Sequence, residues 1–200
     1  MQLTIGCAEI ALIPAIQSFR LENAGVVSRA SMHFPGKITV VFRQRHAEGE
    51  STLIHALCAA AGLPLPQGLP AVLDGKTMSI GAKWTRQLRP ARNVDFTPAG
   101  SVSGPGAEMV LSALRDLLLR AGDEYCAILG SDTFSQLDGR HLPEVVRLLN
   151  GAKCQSILFV WPEKAGFLLD QIKPSAVYEF VEQPDQPDFF CVQPSALGNP

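Results

Sequence analysis

The sequence predicts an α/β fold, a mixed sheet flanked by helices, because buried strands and amphipathic helices alternate along it. Three apolar runs, at 38–42, 125–129 and 156–160, have the length and β-branched content of buried strands. Apolar residues recur at helical spacing at 107–120 and 142–149. Strands that alternate with helices are typical of a sheet covered on both faces. We expect the strand at 38–42 to be central.

Composition predicts one globular domain. The chain has 200 residues, of which 46% are hydrophobic and 18% charged, enough to bury a sizeable core. We expect this domain over residues 1–185, followed by a proline-rich C-terminal tail at 186–200. The net charge of -2 argues against binding nucleic acid through bulk electrostatics, although a local basic patch stays open; the most basic segment is 85–92.

Cysteine usage and hydropathy indicate the compartment. The five cysteines are scattered and show neither zinc-like nor C-x-x-C spacing, which is typical of free thiols in a reducing environment. No basic segment precedes an apolar core at the N-terminus, and no apolar run reaches the ~18 residues of a membrane helix. We therefore expect a cytoplasmic protein that does not bind membranes.

The rest of the chain is organised around residues 34–57, FPGKITVVFRQRHAEGESTLIHAL, which form a strand, a polar loop and a helix opening at Ser51 and Thr52. This is the frame of a phosphate-binding loop, G-x-x-x-x-G-K-[ST], and it places Gln44 and Gly49 at the two glycines. Glu50 then stands at the lysine. A carboxylate about 4 Å from a phosphate oxygen repels it by about 1 kcal/mol in water and by several times more at reduced dielectric. An ordinary strand-to-helix turn is the alternative.

Four motifs carry a resemblance to a known family. FRLEN at 19–23 with FPGKITV at 34–40 resembles the opening of ABC-type ATPase heads of the SMC and RecF branch. VSGPGAE at 102–108 resembles the L-S-G-G-E signature, and CAILGSDTFSQLD at 126–138 resembles h-h-h-h-D-E-P-x-S-x-L-D. Together they cover roughly residues 15–185. The resemblance implies a P-loop NTPase-like fold; the long coiled coil that leaves such heads after the first helix is missing.

The resemblance also implies roles for single residues. Gly49, Glu50, Ser51 and Thr52 take the nucleotide-binding position. Ser131 falls at the magnesium aspartate and Asp132 at the glutamate that activates water, although a shift of one residue would make Asp132 the magnesium ligand. Trp161 and Pro162 stand at the threonine and the switch histidine. Because these positions are altered together, we expect no cofactor; ATP and Mg²⁺ would bind only if the chain were an atypical ATPase with Asp132 as its catalytic carboxylate.

Two loops retain the form of the family and are expected to face a partner. They contribute Ser103, Gly104 and Gly106 from the signature loop, and Ser135 and Asp138 from the D-loop, while Pro105 removes one amide donor. We expect a non-catalytic head, a pseudo-ATPase, that serves as a binding or regulatory subunit in DNA repair, chromosome handling or phage defence. Its partner would be a catalytic ABC- or SMC-like ATPase or a second copy, with nucleic acid reached only through the complex. The alternatives are an active, atypical ATPase and an unrelated α/β interaction module.

Overall fold

The computed structural model describes residues 2–5, 8–42, 47–63, 77–85, 106–135, 137 and 139–198. The strands, in chain order, are β1 (Gln2–Ile5), β2 (Ala8–Pro14), β3 (Ile16–Ala24), β4 (Val27–His33), β5 (Ile38–Phe42), β6 (Ser79–Trp84), β7 (Tyr125–Leu129), β8 (Gln155–Val160), β9 (Ala176–Gln183) and β10 (Gln186–Pro194). The helices are α1 (Ala47–Ala60), α2 (Gly106–Arg120), α3 (Ser131–Ser135), α4 (Leu142–Gly151) and α5 (Pro162–Ile172). A 3-10 turn at Ala196–Gly198 follows β10.

All ten strands belong to one mixed sheet in the order β1-β2-β7-β8-β5-β9-β10-β4-β3-β6. The strands β7, β8, β5 and β9 are parallel to one another. The remaining pairs are antiparallel, except that β10 is parallel to β4. The central place predicted for the strand at 38–42 is confirmed, since β5 lies between β8 and β9 and all five of its residues are buried. The predicted mixed α/β fold is confirmed as well.

The two faces of the sheet bury separate cores. On β5, Ile38, Val40 and Phe42 face one core, and Val41 faces the other, as the two-residue period of a strand requires. The helices α2 and α4 pack together over the first core, and α5 packs against α4. Helix α1 covers the second core, where it contacts β2, β3, β4 and β6. Helices therefore flank the sheet on both sides.

Two side chains connect distant strands through the backbone. The Gln155 amide accepts from the Ile16 backbone N–H at 2.9 Å and donates to the Ile16 carbonyl at 3.0 Å. The Tyr178 hydroxyl accepts from the His33 N–H at 2.7 Å and donates to its carbonyl at 2.9 Å. Each contact satisfies both polar groups of one backbone residue where the strand begins or ends.

The structure confirms some predicted elements and corrects others. The predicted helices at 107–120 and 142–149 are confirmed as α2 and α4. The helix expected from Ser51 begins four residues earlier, at Ala47, because Ala47 and Glu48 are good helix formers and extend it toward β5. Helix α5 begins at Pro162, since proline suits the first position of a helix.

The expectation of a C-terminal tail at 186–200 is wrong for most of that segment. Strand β10 lies within the sheet, antiparallel to β9 and parallel to β4. Phe190 and Val192 are buried in the second core, at 5% and 4% exposure. Burial of this apolar pair outweighs the prolines, which lie near the two ends of the strand, where a missing amide donor costs least.

Several predictions fall outside the described residues. These are the loop position Gln44, the basic segment beyond Thr85, and Ser103, Gly104, Pro105 and Asp138 of the two partner-facing loops. Among the helices that the structure describes, none is long and apolar enough to cross a membrane.

Candidate functional site

The predicted site residues follow the carboxyl ends of adjacent parallel strands. Phe42 at the end of β5 pairs with Val160 at the end of β8, and Leu129 at the end of β7 pairs with Leu158. The helices α1 and α3 begin shortly beyond β5 and β7. In α/β sheets, ligands bind at this edge.

Glu50 and Ser131 are bonded directly to each other at this edge. Glu50 lies in the first turn of α1 and is 6% exposed, and its Oε1 accepts a hydrogen bond of 2.7 Å from the backbone N–H of Ser131. Ser131 is the first residue of α3 and has no exposed surface. A hydrogen bond to an ionised carboxylate is stronger than a neutral one, and a helix start has amides that need acceptors. The carboxylate therefore satisfies the first amide of α3 and joins the two helices.

This contact decides how well the two positions suit ATP and Mg²⁺. In the resemblance, position 50 would supply a lysine to phosphate oxygens and position 131 an aspartate to the metal. Here Glu50 supplies a buried carboxylate, which repels phosphate, and Ser131 supplies a neutral hydroxyl side chain. Together, Glu50 and Ser131 do not fit a magnesium nucleotide.

Gly49 has a packing role within α1. A β-carbon added there would lie 3.2 Å from Cε1 and 3.4 Å from Cδ1 of Phe180, closer than a normal contact. The Phe180 ring meets that of Phe190 edge to face, with centroids 6.5 Å apart. Close packing of the helix on this aromatic pair explains the glycine without a phosphate. Ser51 is half-buried and Thr52 buried, in the second turn of α1 rather than at its start.

The burial of Glu50 had a signal in the sequence that the phosphate-loop frame concealed. Residues 50, 53, 54 and 57 recur at the spacing that places side chains on one helix face. Leu53, Ile54 and Leu57 form the buried stripe of α1, so a helix that starts before Glu50 carries its carboxylate inward with them. The bond to Ser131 had no such signal, because 81 residues separate the two.

The remaining predicted residues that the structure describes lie at the two ends of α3 and at the start of α2. Asp132 is exposed, next to the buried Ser131 and Thr133, and its carbonyl accepts from the Ser135 hydroxyl at 2.8 Å. Ser135 ends α3 and is exposed, and Gly106 is the exposed first residue of α2. Helix α2 packs against α4, whereas α3 packs against β2 and β8.

Polar contacts hold the start of α2 against α4. His141 Nε2 lies 3.5 Å from Glu108 Oε1, and the Arg115 guanidinium bonds the Glu144 carboxylate. The Arg115 hydrogen bond lowers the pKa of Glu144 below its ordinary value, and Arg147 acts in the same direction. These contacts join α2 to the start of α4.

Metal coordination by the described part of the chain is not indicated. No group of three or more His, Cys, Asp and Glu side chains there could hold a metal ion. Burial raises the pKa of the Cys126 thiol well above its ordinary value, with smaller contributions from Cys154 and Cys58. A raised pKa disfavours the thiolate, the form that binds metals.

Comparison with solved structures shows similarity to a known head domain. The chain is similar to the SMC head domain from Thermotoga maritima, with a TM-score of 0.57 and 12% sequence identity over 90% of this chain and 99% of that one. No protein-family profile matches the sequence. No curated protein matches it either. At this identity the likeness shows the fold alone: the chain has an SMC head-like, P-loop NTPase-like fold. Its described helices are at most 15 residues long and include no coiled coil.

Proposed function

We propose that this protein is a non-catalytic ABC- or SMC-like head, a pseudo-ATPase, that acts as a binding or regulatory subunit of a larger assembly. The observation that carries the proposal is the buried bond between Glu50 Oε1 and the Ser131 amide. The two positions that would face phosphate and magnesium satisfy each other, and a nucleotide would have to break that bond and approach a carboxylate.

The magnitudes favour loss of nucleotide binding. Leaving the buried Ser131 amide without its acceptor costs about 1 to 3 kcal/mol, and repulsion between a carboxylate and phosphate at reduced dielectric adds to it. In addition, no lysine stands at position 50 to offset the phosphate charge. We therefore expect titration calorimetry with ATP and Mg²⁺ to give a dissociation constant weaker than about 10 μM, which is about -7 kcal/mol.

A charge-swapped variant tests the cause. Glu50→Lys combined with Ser131→Asp restores a lysine and an aspartate at the two positions and lets them pair. This variant should bind ATP with Mg²⁺ at least tenfold more tightly than the wild type, while Glu50→Gln, which removes only the charge, should gain less. Tight binding by the wild-type protein, or a folded double variant with no gain, would contradict the proposal.

The proposed role in an assembly rests on what the chain retains. Ser103, Gly104 and Gly106, together with Ser135 and Asp138, keep the family's form at the face where such heads meet. Gly106 and Ser135 are exposed. The partner we propose is a catalytic ABC- or SMC-like ATPase or a second copy, in DNA repair, chromosome handling or phage defence. A pull-down from the native host, with the partner identified by mass spectrometry, tests this.

A further inference from the structure

Charge is divided unevenly along this chain. Residues 16–92 contain ten basic residues (Lys and Arg) and four acidic residues (Asp and Glu). Residues 106–198 contain seven basic and thirteen acidic residues. The net charge of -2 therefore conceals a basic first half and an acidic second half. Charge asymmetry between halves is a feature of chains that bind polyanions.

The basic half presents a regular polar surface on the outer face of β6, β3 and β4. The opposite face of these strands carries the apolar side chains that belong to or pack on the second core. The register places nine outward residues in three cross-strand rows, which we call the outer grid: Lys83–Ser18–His33, Gly81–Arg20–Ser31 and Ser79–Glu22–Arg29.

Cationic side chains dominate the outer grid. Lys83 and Arg29 are exposed, and the Arg20 side chain retains 68% of its accessible surface. Glu22 is the single carboxylate, bonded by Arg20 at 2.7 Å, and Arg20 and Arg29 both lower its pKa. The remaining members are three serines, one glycine and His33. Each row thus has a Lys or an Arg, with hydroxyl groups between them that can donate to phosphate oxygens.

We propose that the outer grid binds the phosphate backbone of double-stranded nucleic acid. Charge complementarity selects a polyanion. The grid contains no Phe, Tyr or Trp side chain, the large rings on which unpaired bases stack, which favours a duplex over a single strand. Direct contact of this kind differs from nucleic acid reached only through a complex, and it does not depend on the pseudo-ATPase proposal.

Salt dependence of duplex binding tests this inference. Fluorescence anisotropy with a random-sequence DNA duplex should show affinity that falls with salt, with a slope of log K against log salt of about -2.7 or steeper for three phosphates at about -0.9 each. Arg29→Ala and Lys83→Ala should each make the slope about one unit shallower. Glu22→Gln should strengthen binding, because it removes the only negative charge of the grid.

Arg147→Ala is the matched control. The Arg147 side chain is 75% exposed and contacts a glutamate at 3.6 Å, as Arg20 contacts Glu22, but it lies on α4, which packs against α2 and α5 over the first core. The Arg147→Ala variant should leave both the affinity for duplex and its salt slope unchanged. The inference is overturned if the wild-type protein does not bind duplex in low salt, or if Arg147→Ala has the same effect as Arg29→Ala. Tenfold tighter binding to a single strand, or equal displacement by poly-glutamate, would also overturn it.

Discussion

The Ser131 amide donates to the Glu50 carboxylate at 2.7 Å and so joins α1 to α3 across 81 residues of sequence. Because both residues are buried, the bond is shielded from water and from salt. It is therefore part of the folded core as well as the basis of the proposed loss of nucleotide binding, and the two roles can be measured separately.

Removing the Glu50 side chain should destabilise the protein. Glu50→Ala leaves the Ser131 amide buried without its acceptor and should cost about 2 kcal/mol in the free energy of unfolding by urea. Glu50→Gln keeps an acceptor but loses the charge, so we expect about 1 kcal/mol. The control Glu182→Ala, on an exposed position of β9, should change stability by no more than about 0.5 kcal/mol. A Glu50→Ala protein as stable as the wild type would contradict this account.

Steady-state hydrolysis of ATP should equal the buffer background. Ser131 and Pro162 stand at the metal and switch positions, and neither side chain can act as a carboxylate ligand or an imidazole. The exposed Asp132 is the one observation that favours an atypical ATPase. If phosphate release is steady and Asp132→Asn abolishes it while the fold is retained, that alternative is correct and the pseudo-ATPase proposal is wrong.

Stability should fall in alkaline solution through Cys126. Burial raises its pKa in the folded state above the ordinary value of 9.0, so the folded protein keeps the proton that the unfolded chain releases. Above about pH 9 the unfolded state binds fewer protons, and the free energy of unfolding decreases by up to about 1.4 kcal/mol per pH unit for this group. Urea unfolding between pH 8 and pH 10.5, at intervals of about half a unit, should show a shallower decline for Cys126→Ala. If the free energy of unfolding of the wild type and of Cys126→Ala declines with pH at the same rate, the Cys126 thiol is not a cause of the decline.

The hydroxyl of Tyr178 should contribute to stability through the backbone of His33. Tyr178→Phe removes two hydrogen bonds at the end of β4 and should lower the free energy of unfolding by about 1 to 3 kcal/mol. Tyr125→Phe, at a half-buried position in β7, is the matched control and should have a smaller effect. Equal effects of the two substitutions would show that the His33 contact is not the cause.

Local patterns in the sequence were sufficient for the strands β5, β7 and β8 and for the helices α2 and α4. The apolar spacing of α2 predicts its buried residues in full, because one helix face meets one core: Val110, Leu111, Leu114, Leu117 and Leu118. Strand β10 was missed because its prolines are local signals against a strand, whereas its place between β9 and β4 depends on partners elsewhere in the chain.

The site was only partly predictable for the same reason. The charge reversal at Glu50 is visible in the sequence, but its bond to Ser131 and the contact of Gly49 with Phe180 join residues that are distant in the chain. The contacts of Gln155 and Tyr178 span 139 and 145 residues, and no periodicity encodes them. Such contacts depend on the assembled sheet.

The final prediction concerns the face that would meet a partner. Ser103→Arg combined with Asp138→Arg places two large cations in the loops that keep the family's form, and Ser135→Arg places one at the exposed end of α3. If this face docks on a partner head, each variant should weaken the complex by about 2 kcal/mol or more, the scale of an interface hot spot. The measurement is the dissociation constant for the partner identified by pull-down, or for a second copy by sedimentation.

Glu182→Arg, an exposed position of β9, is the control and should bind as the wild type does. Because Ser135 is exposed, its variant should fold; if it folds and captures the partner with unchanged affinity, as the loop variant does, the complex forms through another surface.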